Sequence, residues 1–311
     1  MTRRPIAITT LLGLFLATAP AVADDLPAPY RLDIGRIAVT ALSDGTVPVP
    51  LTEIMHGAPK AAIEAALDRA GQASPVPLAV NAYLIGMPDG RLVLVDTGTG
   101  DLLGPQLGHL PETLAAAGHS VAEIDDVVLT HIHADHSGGL VRDGKAVFPN
   151  ARVHVAERDA GYWLSAEARA AAPEPARASF DEALAAIAPY RAEGRFQTFV
   201  DGADPVPGLG SILRAGHTPG HSSIVVADGG ARLVIWGDIT HGEVVQFADP
   251  DVTIDFDVDQ PQARTTRRAA LAEAAAEGYL VAGAHIAWPG IGRVREATTP
   301  GIAYRWEPLA R

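Results

Sequence analysis

Four side chains able to bind a metal ion fall within six residues in the run His131-Ile132-His133-Ala134-Asp135-His136. The run follows Asp125-Asp126-Val127-Val128-Leu129-Thr130, which reads as a short buried strand ending in a polar residue. In a loop leaving a strand, residues two apart project to the same side, so His131 and His133 can chelate one cation. Asp135 and His136 come at the turn around Ser137-Gly138-Gly139, where they can face a second cation. Imidazoles and a carboxylate have little packing value, whereas this spacing suits activation of water by metal. The sequence contains no cysteine. Any metal is therefore held by His, Asp and Glu, which excludes thiolate sites such as zinc fingers and favours a catalytic centre over a structural one.

Three more signals stand where strands are expected to end. Gly216-His217-Thr218-Pro219-Gly220-His221-Ser222 is a tight loop with two histidines, and its Gly and Pro residues fix a turn that can aim one imidazole inward. Trp236-Gly237-Asp238 and Ala282-Gly283-Ala284-His285 each run from an apolar strand into a ligand type. Catalytic groups in α/β folds gather at strand ends, so these positions converge on residues 131–136. His56, His109, His119 and His154 end no strand beside another ligand type and read as surface or packing residues.

The elements that must position these groups alternate along the chain. Strands are expected at Leu32 to Ser43 before a turn at Asp44-Gly45, at Val80 to Ile85 and Leu92 to Val95 about a Pro88-Asp89-Gly90 turn, and at Val153 to Ala156. The second half adds strands at Phe196 to Phe199, Ser211 to Ala215, Ser223 to Ala227, Arg232 to Trp236 and Tyr279 to Ala282. Helices are expected at Lys60 to Ala70, Pro111 to Ala117, from the 153–156 strand through Trp163, and at Gln262 to Ala276. Pro50 to Ala79 reads as an arm or lid, and Ala166 to Arg177 as a surface linker into a helix ending near Ala188. Two successive sets of strands and helices give an α/β fold, a four-layer αββα sandwich.

Residues 1–23 read as a cleaved secretory signal, with Arg3 and Arg4, an apolar stretch from Ile6 to Ala19 and a small-x-small Ala21-Val22-Ala23. The run is too short to span a bilayer. The protein is thus expected to be periplasmic or secreted, by the Sec or the twin-arginine route, with 24–311 as a single domain. Losing that leader changes the net charge from −13 to −15, because it carries two arginines and no acid. So acidic a chain is a poor partner for nucleic acid or an anionic membrane.

The ligand pattern closely resembles that of the metallo-β-lactamase superfamily. The resemblance implies that His131, His133 and His221 hold one ion and that Asp135, His136 and His285 hold the other. Asp238 bridges the two. It implies that Asp96 steadies ligand imidazoles without touching metal, while His217 is expected to brace the His221 loop. Such a set implies a two-metal hydrolase site with Asp135 and Asp238 as its catalytic residues, and zinc is the default cation. Nearly the whole chain beyond the leader also resembles the methyl parathion hydrolase family. The similarity lies in Ala41-Leu42-Ser43-Asp44-Gly45-Thr46, Leu94-Val95-Asp96-Thr97-Gly98, Leu103-Gly104-Pro105-Gln106-Leu107-Gly108, Phe148-Pro149-Asn150-Ala151, Val245-Gln246-Phe247 with Asp249-Pro250, and Pro289-Gly290-Ile291-Gly292. That family implies an exported dinuclear enzyme, a homodimer, acting on aryl esters, lactones and in some members organophosphate triesters.

The same alignment implies a substrate pocket of Trp163, Phe180, Leu103, His241, Ile254 and Phe256. His241 and Phe256 crowd a tetrahedral phosphotriester and leave room for a flat ring with a carbonyl, to which His241 can donate a hydrogen bond. Two plainer readings stay open, His241 turned to solvent and Phe256 as core packing. The expected function is hydroxide attack on lactones and aryl esters. The alternatives are an organophosphate triesterase, an acyl-homoserine lactonase, and a metal-storing protein without turnover. Storage is disfavoured because the expected sites keep a solvent position.

Overall fold

The computed structural model describes residues 26–309, so the expected leader at 1–23 lies outside the described residues. No helix among them is long and apolar enough to cross a membrane. The first sheet has seven strands, in the order Tyr30–Ile34, Ile37–Val49, Val76–Gly86, Leu92–Val95, Asp126–Val128, Arg152–Ala156 and Phe196–Phe199. Pairing is antiparallel as far as Leu92–Val95 and parallel beyond it. The second sheet has six, in the order Leu209–Leu213, Ser222–Asp228, Ala231–Ile235, Leu280–Ala282, Ile291–Glu296 and Tyr304–Pro308. Only its central pair, Ala231–Ile235 with Leu280–Ala282, is parallel.

Period-two alternation sorts the strand residues into layers. Val39, Ile85, Val93 and Val95 of the first sheet share an inner core with Leu209, Ile224, Leu233 and Ile235 of the second. On the outside of the first sheet, Leu94, Val127, Val153 and Val155 lie under Phe180, Ile187 and Tyr190 of the helix Arg177–Ala192. On the outside of the second, Val234, Val281 and Val294 lie under Ala270, Leu271 and Ala274 of the helix Gln260–Glu277. That helix begins where the Asp259 carboxylate accepts from Gln262 N–H and ends at Gly278 in the left-handed region. The architecture is the expected αββα sandwich.

Three local expectations change. Asp44-Gly45 is no turn: the strand Ile37–Val49 runs through it with a bulge between Ser43 and Gly45, and the hairpin turns earlier, at Gly35. The bulge drives the buried Asp44 carboxylate into the loop that follows Asp96, where it accepts from the N–H groups of Thr99, Gly108 and Leu110. Ala166 to Arg177 is no linker. Its alanines form the helix Ala166–Ala171, capped by the Ser165 hydroxyl, before a 3-10 turn at Glu174–Ala176. The strands Ile291–Glu296 and Tyr304–Pro308 were not expected, because charged residues interrupt their apolar positions.

The stretch from 50 to 79 is an arm with its own core. Leu51, Met55, Ile63 and Leu67 pack with Val245, Val252 and Ile254, and Met55–His56 pairs with Thr253–Ile254. The helix expected at Lys60 to Ala70 is there as Lys60–Arg69.

Candidate metal centre

Loops leaving four strands of the two sheets bring the ligand types together. His131 and His133 come after Asp126–Val128, and Asp135 and His136 sit in the short helix Ala134–Ser137 that follows. His217 stands in the loop between Leu209–Leu213 and Ser222–Asp228, Asp238 beyond Ala231–Ile235, and His285 beyond Leu280–Ala282. Their atoms close into two four-membered rings. In the first, His133 Nδ1 lies 3.1 Å from His131 Nε2 and 3.0 Å from His217 Nε2. Asp238 Oδ2 completes it at 3.2 Å from His217 Nε2 and 3.6 Å from His131 Nε2. In the second, His136 Nε2 and His285 Nε2 lie 3.6 and 3.2 Å from Asp135 Oδ2, and 3.1 and 3.3 Å from Asp238 Oδ1. Asp238 thus offers one oxygen to each ring.

These donors fit divalent cations. Ligands about 2.0–2.2 Å from a tetrahedral ion stand about 3.3 Å apart, the separation both rings show. His136 Nε2 and Asp238 Oδ1 are buried and face each other without hydrogen bonding to anything among the described residues. Leaving such atoms unmatched costs about 1–3 kcal/mol each, which a cation between them removes. The far nitrogens of four ring histidines, His131, His136, His217 and His285, are steadied as metal-binding imidazoles require. His136 Nδ1 donates to Asp96 Oδ2 at 2.9 Å, His217 Nδ1 to Asp257 Oδ1 at 3.0 Å and His285 Nδ1 to the Ala79 carbonyl at 2.8 Å. His131 Nδ1 lies 3.1 Å from Thr130 Oγ1. Asp96, in the left-handed region at φ 62°, also takes the Thr130 N–H, so it sits behind the centre as expected.

The electrostatics divide the histidines. Burial holds His131 and His133 well below the ordinary imidazole range, helped by neighbouring histidines. Burial also opposes charge on His136, His217 and His285, but the carboxylates around them win: His136 rises well above its usual value, His217 to about 9 and His285 to about 10. Asp135 and Asp238 stay ionised, because the same histidines overcome the effect of burial.

The roles expected for two histidines are exchanged. His217, expected to brace, faces both Asp238 and His133, whereas His221, expected to bind metal, does not face the centre. Its Nε2 is occupied as acceptor of the Asp238 backbone N–H at 2.9 Å, and burial holds it neutral, down at about 3. The loop offers two histidines four residues apart, and nothing in their spacing says which is aimed inward.

The expected pocket residues separate. Trp163 is buried with its ring centre 5.0 Å from that of His133, in a T-shaped contact, and Phe180 backs it at 4.7 Å between ring centres. Phe180 is 1% exposed, so it supports the wall rather than forming its surface. Ile254 is no pocket residue; its pairing with Met55 turns it into the core of the arm. Leu103 is exposed in the loop before Leu110. Phe256, 45% exposed, is not core packing; its ring lies 5.7 Å from that of His241. His241 is not turned to solvent. It is 1% exposed, stacks on His285 at 5.1 Å and places Nε2 2.9 Å from Asp238 Oδ2. Facing a carboxylate, Nε2 carries the proton, so Nδ1 of this neutral imidazole accepts rather than donates, against expectation.

Four further residues emerge only in the structure. Asp159 ties two ligand loops together, accepting from Ile132 N–H at 2.8 Å and Gly220 N–H at 3.1 Å, and burial pushes it up to about 6. Asn81 Nδ2 donates to the carbonyls of Gly283 and Ile286 on either side of His285. Asp257 and Arg267 stand behind His217. Residues that act through hydrogen bonds across the fold have no spacing signature; Asp257, two residues before the Asp259 cap of a helix, gave none.

Known proteins resemble this chain in sequence and fold. The chain is similar to the hydrolase AbOPH of the beta lactamase superfamily, at 33% identity and a TM-score of 0.86 over 92% of this chain and 99% of that one. It is similar to AidC, a dizinc quorum-quenching lactonase solved with a product, N-hexanoyl-L-homoserine, at 26% identity and a TM-score of 0.82 over 93% and 99%. A Mycobacterium tuberculosis protein described as a probable metallo-hydrolase is 30% identical over 51% of this chain and 56% of its own length. An atrochrysone carboxyl ACP thioesterase of Passalora fulva is 31% identical over 52% and 38%. The chain thus spans about half the length, or less, of these curated relatives. The profile of the Metallo-beta-lactamase superfamily matches residues 75–285, which run from the start of the strand Val76–Gly86 to the last ring ligand. With that match and two His/Asp rings suited to a dinuclear centre, the chain belongs to the metallo-β-lactamase superfamily of metal-dependent hydrolases.

Proposed function

We propose that this chain is an exported lactonase and arylesterase of the methyl parathion hydrolase type, working as a homodimer with zinc as its natural cation. The observation that carries the reading is the pair of donor rings meeting on Asp238, with the Trp163 ring beside His133 and the exposed Phe256 ring beside His241. Divalent cations in such rings supply a hydroxide nucleophile at neutral pH and neutralise the charge that develops on an attacked carbonyl. Asp135 is the ring carboxylate that meets solvent, with 22% of its side chain exposed. Its free oxygen can take the nucleophile's proton and return it to the departing phenolate or alkoxide. Trp163, set edge-on to His133, walls the site against water, and the exposed face of Phe256 can lie along a planar ring.

A second reading follows from His241. Its Nδ1 is buried with no partner among the described residues and can accept a hydrogen bond from substrate. Dihydrocoumarin offers no such donor, whereas an N-acyl homoserine lactone carries an amide N–H beside its ring. The likeness to AidC supports the same class. One panel on the zinc-loaded protein tests both: dihydrocoumarin, N-hexanoyl homoserine lactone, phenyl acetate and methyl paraoxon. The lactones should lead in kcat/KM, and His241→Ala should cost the amide-bearing lactone more than dihydrocoumarin. Methyl paraoxon turning over best would overturn the proposal.

A further inference from the structure

The apolar stripe of the helix Gln260–Glu277 is broken once. Ala263, Ala270, Leu271 and Ala274 are buried along it, and Arg267 lies among them at 1% exposure. A guanidinium is costly to bury unless its N–H groups find acceptors, and an apolar residue at the position would avoid that cost. All three nitrogens are matched. Nε donates to the Ile239 carbonyl at 2.8 Å, Nη1 to the Val252 carbonyl at 2.6 Å and Nη2 to Asp257 Oδ2 at 3.3 Å. One of those contacts leads to the first ring alone, and another to the carboxylate that both rings share. Asp257 passes its other oxygen to His217 Nδ1 at 3.0 Å, and Ile239 is the residue after Asp238. The second ring is held from elsewhere, His136 by Asp96 and His285 by the Ala79 carbonyl.

We infer that Arg267 is a positioning residue for the ring of His131, His133, His217 and Asp238. Its guanidinium fixes the Asp257 carboxylate, Asp257 fixes the tautomer and tilt of His217, and the Ile239 contact pins the backbone just beyond Asp238. Planarity matters, because one side chain must meet two carbonyls and a carboxylate in fixed directions; a lysine ammonium can reach only part of that set. The inference rests on His217 being a metal ligand, and the experiment separates the two.

The test is chelator competition on the metal-loaded protein, read as the affinity of each of two zinc ions, with cobalt absorption reporting the coordination. Arg267→Met should weaken one ion about 10–100-fold, the range for lost outer contacts to metal ligands, and the other, which it reaches only through Asp238, by much less. Arg267→Lys should recover part of that loss. Leu271→Ala, on the same helix, should lower the melting temperature and leave both ions and the cobalt spectrum as they were. His217→Ala should abolish binding of the ion that Arg267→Met weakens. If Arg267→Met fails to fold, Arg267→Lys decides, by selective weakening of that same ion. Wild-type affinities in the Arg267 variants, or equal weakening of both ions, would overturn the inference while His217→Ala still loses one ion. Retention of both ions by His217→Ala would instead overturn the ligand reading beneath it.

Discussion

The two donor rings share Asp238 and differ in how they are built and charged. The first contains three imidazoles, two of which burial holds neutral. It is steadied by side chains, Thr130 behind His131 and Asp257 with Arg267 behind His217. The second contains two carboxylates and two imidazoles, and both imidazoles are pushed upward because the carboxylates overcome burial. Both rings draw on both sheets, but the second has its His285 set by backbone of the first sheet: the Ala79 carbonyl accepts from its Nδ1 while Asn81 N–H donates to the Ala284 carbonyl. The contrast teaches that the rings make different demands on the fold. The first depends on a chain of buried charges behind His217, and the second on a first-sheet strand that sets His285.

Removing what the rings share gives the largest effect. Asp238→Ala takes an oxygen from each, so metal analysis should find both ions lost and hydrolysis should fall by roughly a thousandfold or more. Retention of either ion would break the picture of a common bridge.

His217→Ala against His221→Ala sharpens the first ring. The former should strip one ion and leave the second bound. The latter removes only the acceptor of the Asp238 backbone N–H. It should keep two ions per chain, with affinity reduced by about tenfold. The reverse pattern in metal stoichiometry would restore His221 as ligand.

Asp96→Ala probes the second ring from outside. Losing the partner of His136 Nδ1 should weaken that ring's ion by about 10–100-fold, while the ion of the other ring changes little. Equal weakening of both, measured by chelator competition, would mean that Asp96 serves the centre as a whole.

Protons give the smallest and most general contrast. With folded values raised well above usual for His136 and to about 10 for His285, these imidazoles are charged at pH 7 in the metal-free protein, as is His217 at about 9. A cation must displace those protons, so affinity should rise with pH from 6 toward 9 and fall as the solution is acidified. The second ring gives up two protons and the first gives up one, so its ion should show the steeper slope. Calorimetry in buffers of different ionisation heat measures the protons released; none released at pH 7 would contradict the assigned charges.

Much of this was legible in the sequence, and the reasons are specific. His131 to His136 lie close enough in the chain that spacing alone places them, and Asp238 and His285 follow apolar strands whose ends must meet in an α/β sandwich. The layering followed from period-two and helical patterns such as Leu92 to Val95 and Gln262 to Ala276. What failed was aim. A Gly/Pro loop with two histidines does not reveal which ring turns inward. The strand period of Val252, Ile254 and Phe256 does not reveal that Ile254 enters the arm's core while Phe256 stays exposed beside His241. The Asp44-Gly45 pair carries a turn signal, and only the amides of Thr99, Gly108 and Leu110 turn it into a bulge. Asp257, Arg267, Asp159 and Asn81 act across 10 to 205 residues of chain, so no local pattern announces them.

The central claim is that paired cations in these rings make the chain a hydrolase. The most direct test strips the protein of metal and returns zinc in measured equivalents while dihydrocoumarin hydrolysis is followed. The account predicts no turnover in the stripped protein and recovery that saturates as the second equivalent binds. Full turnover before any zinc is added would contradict it.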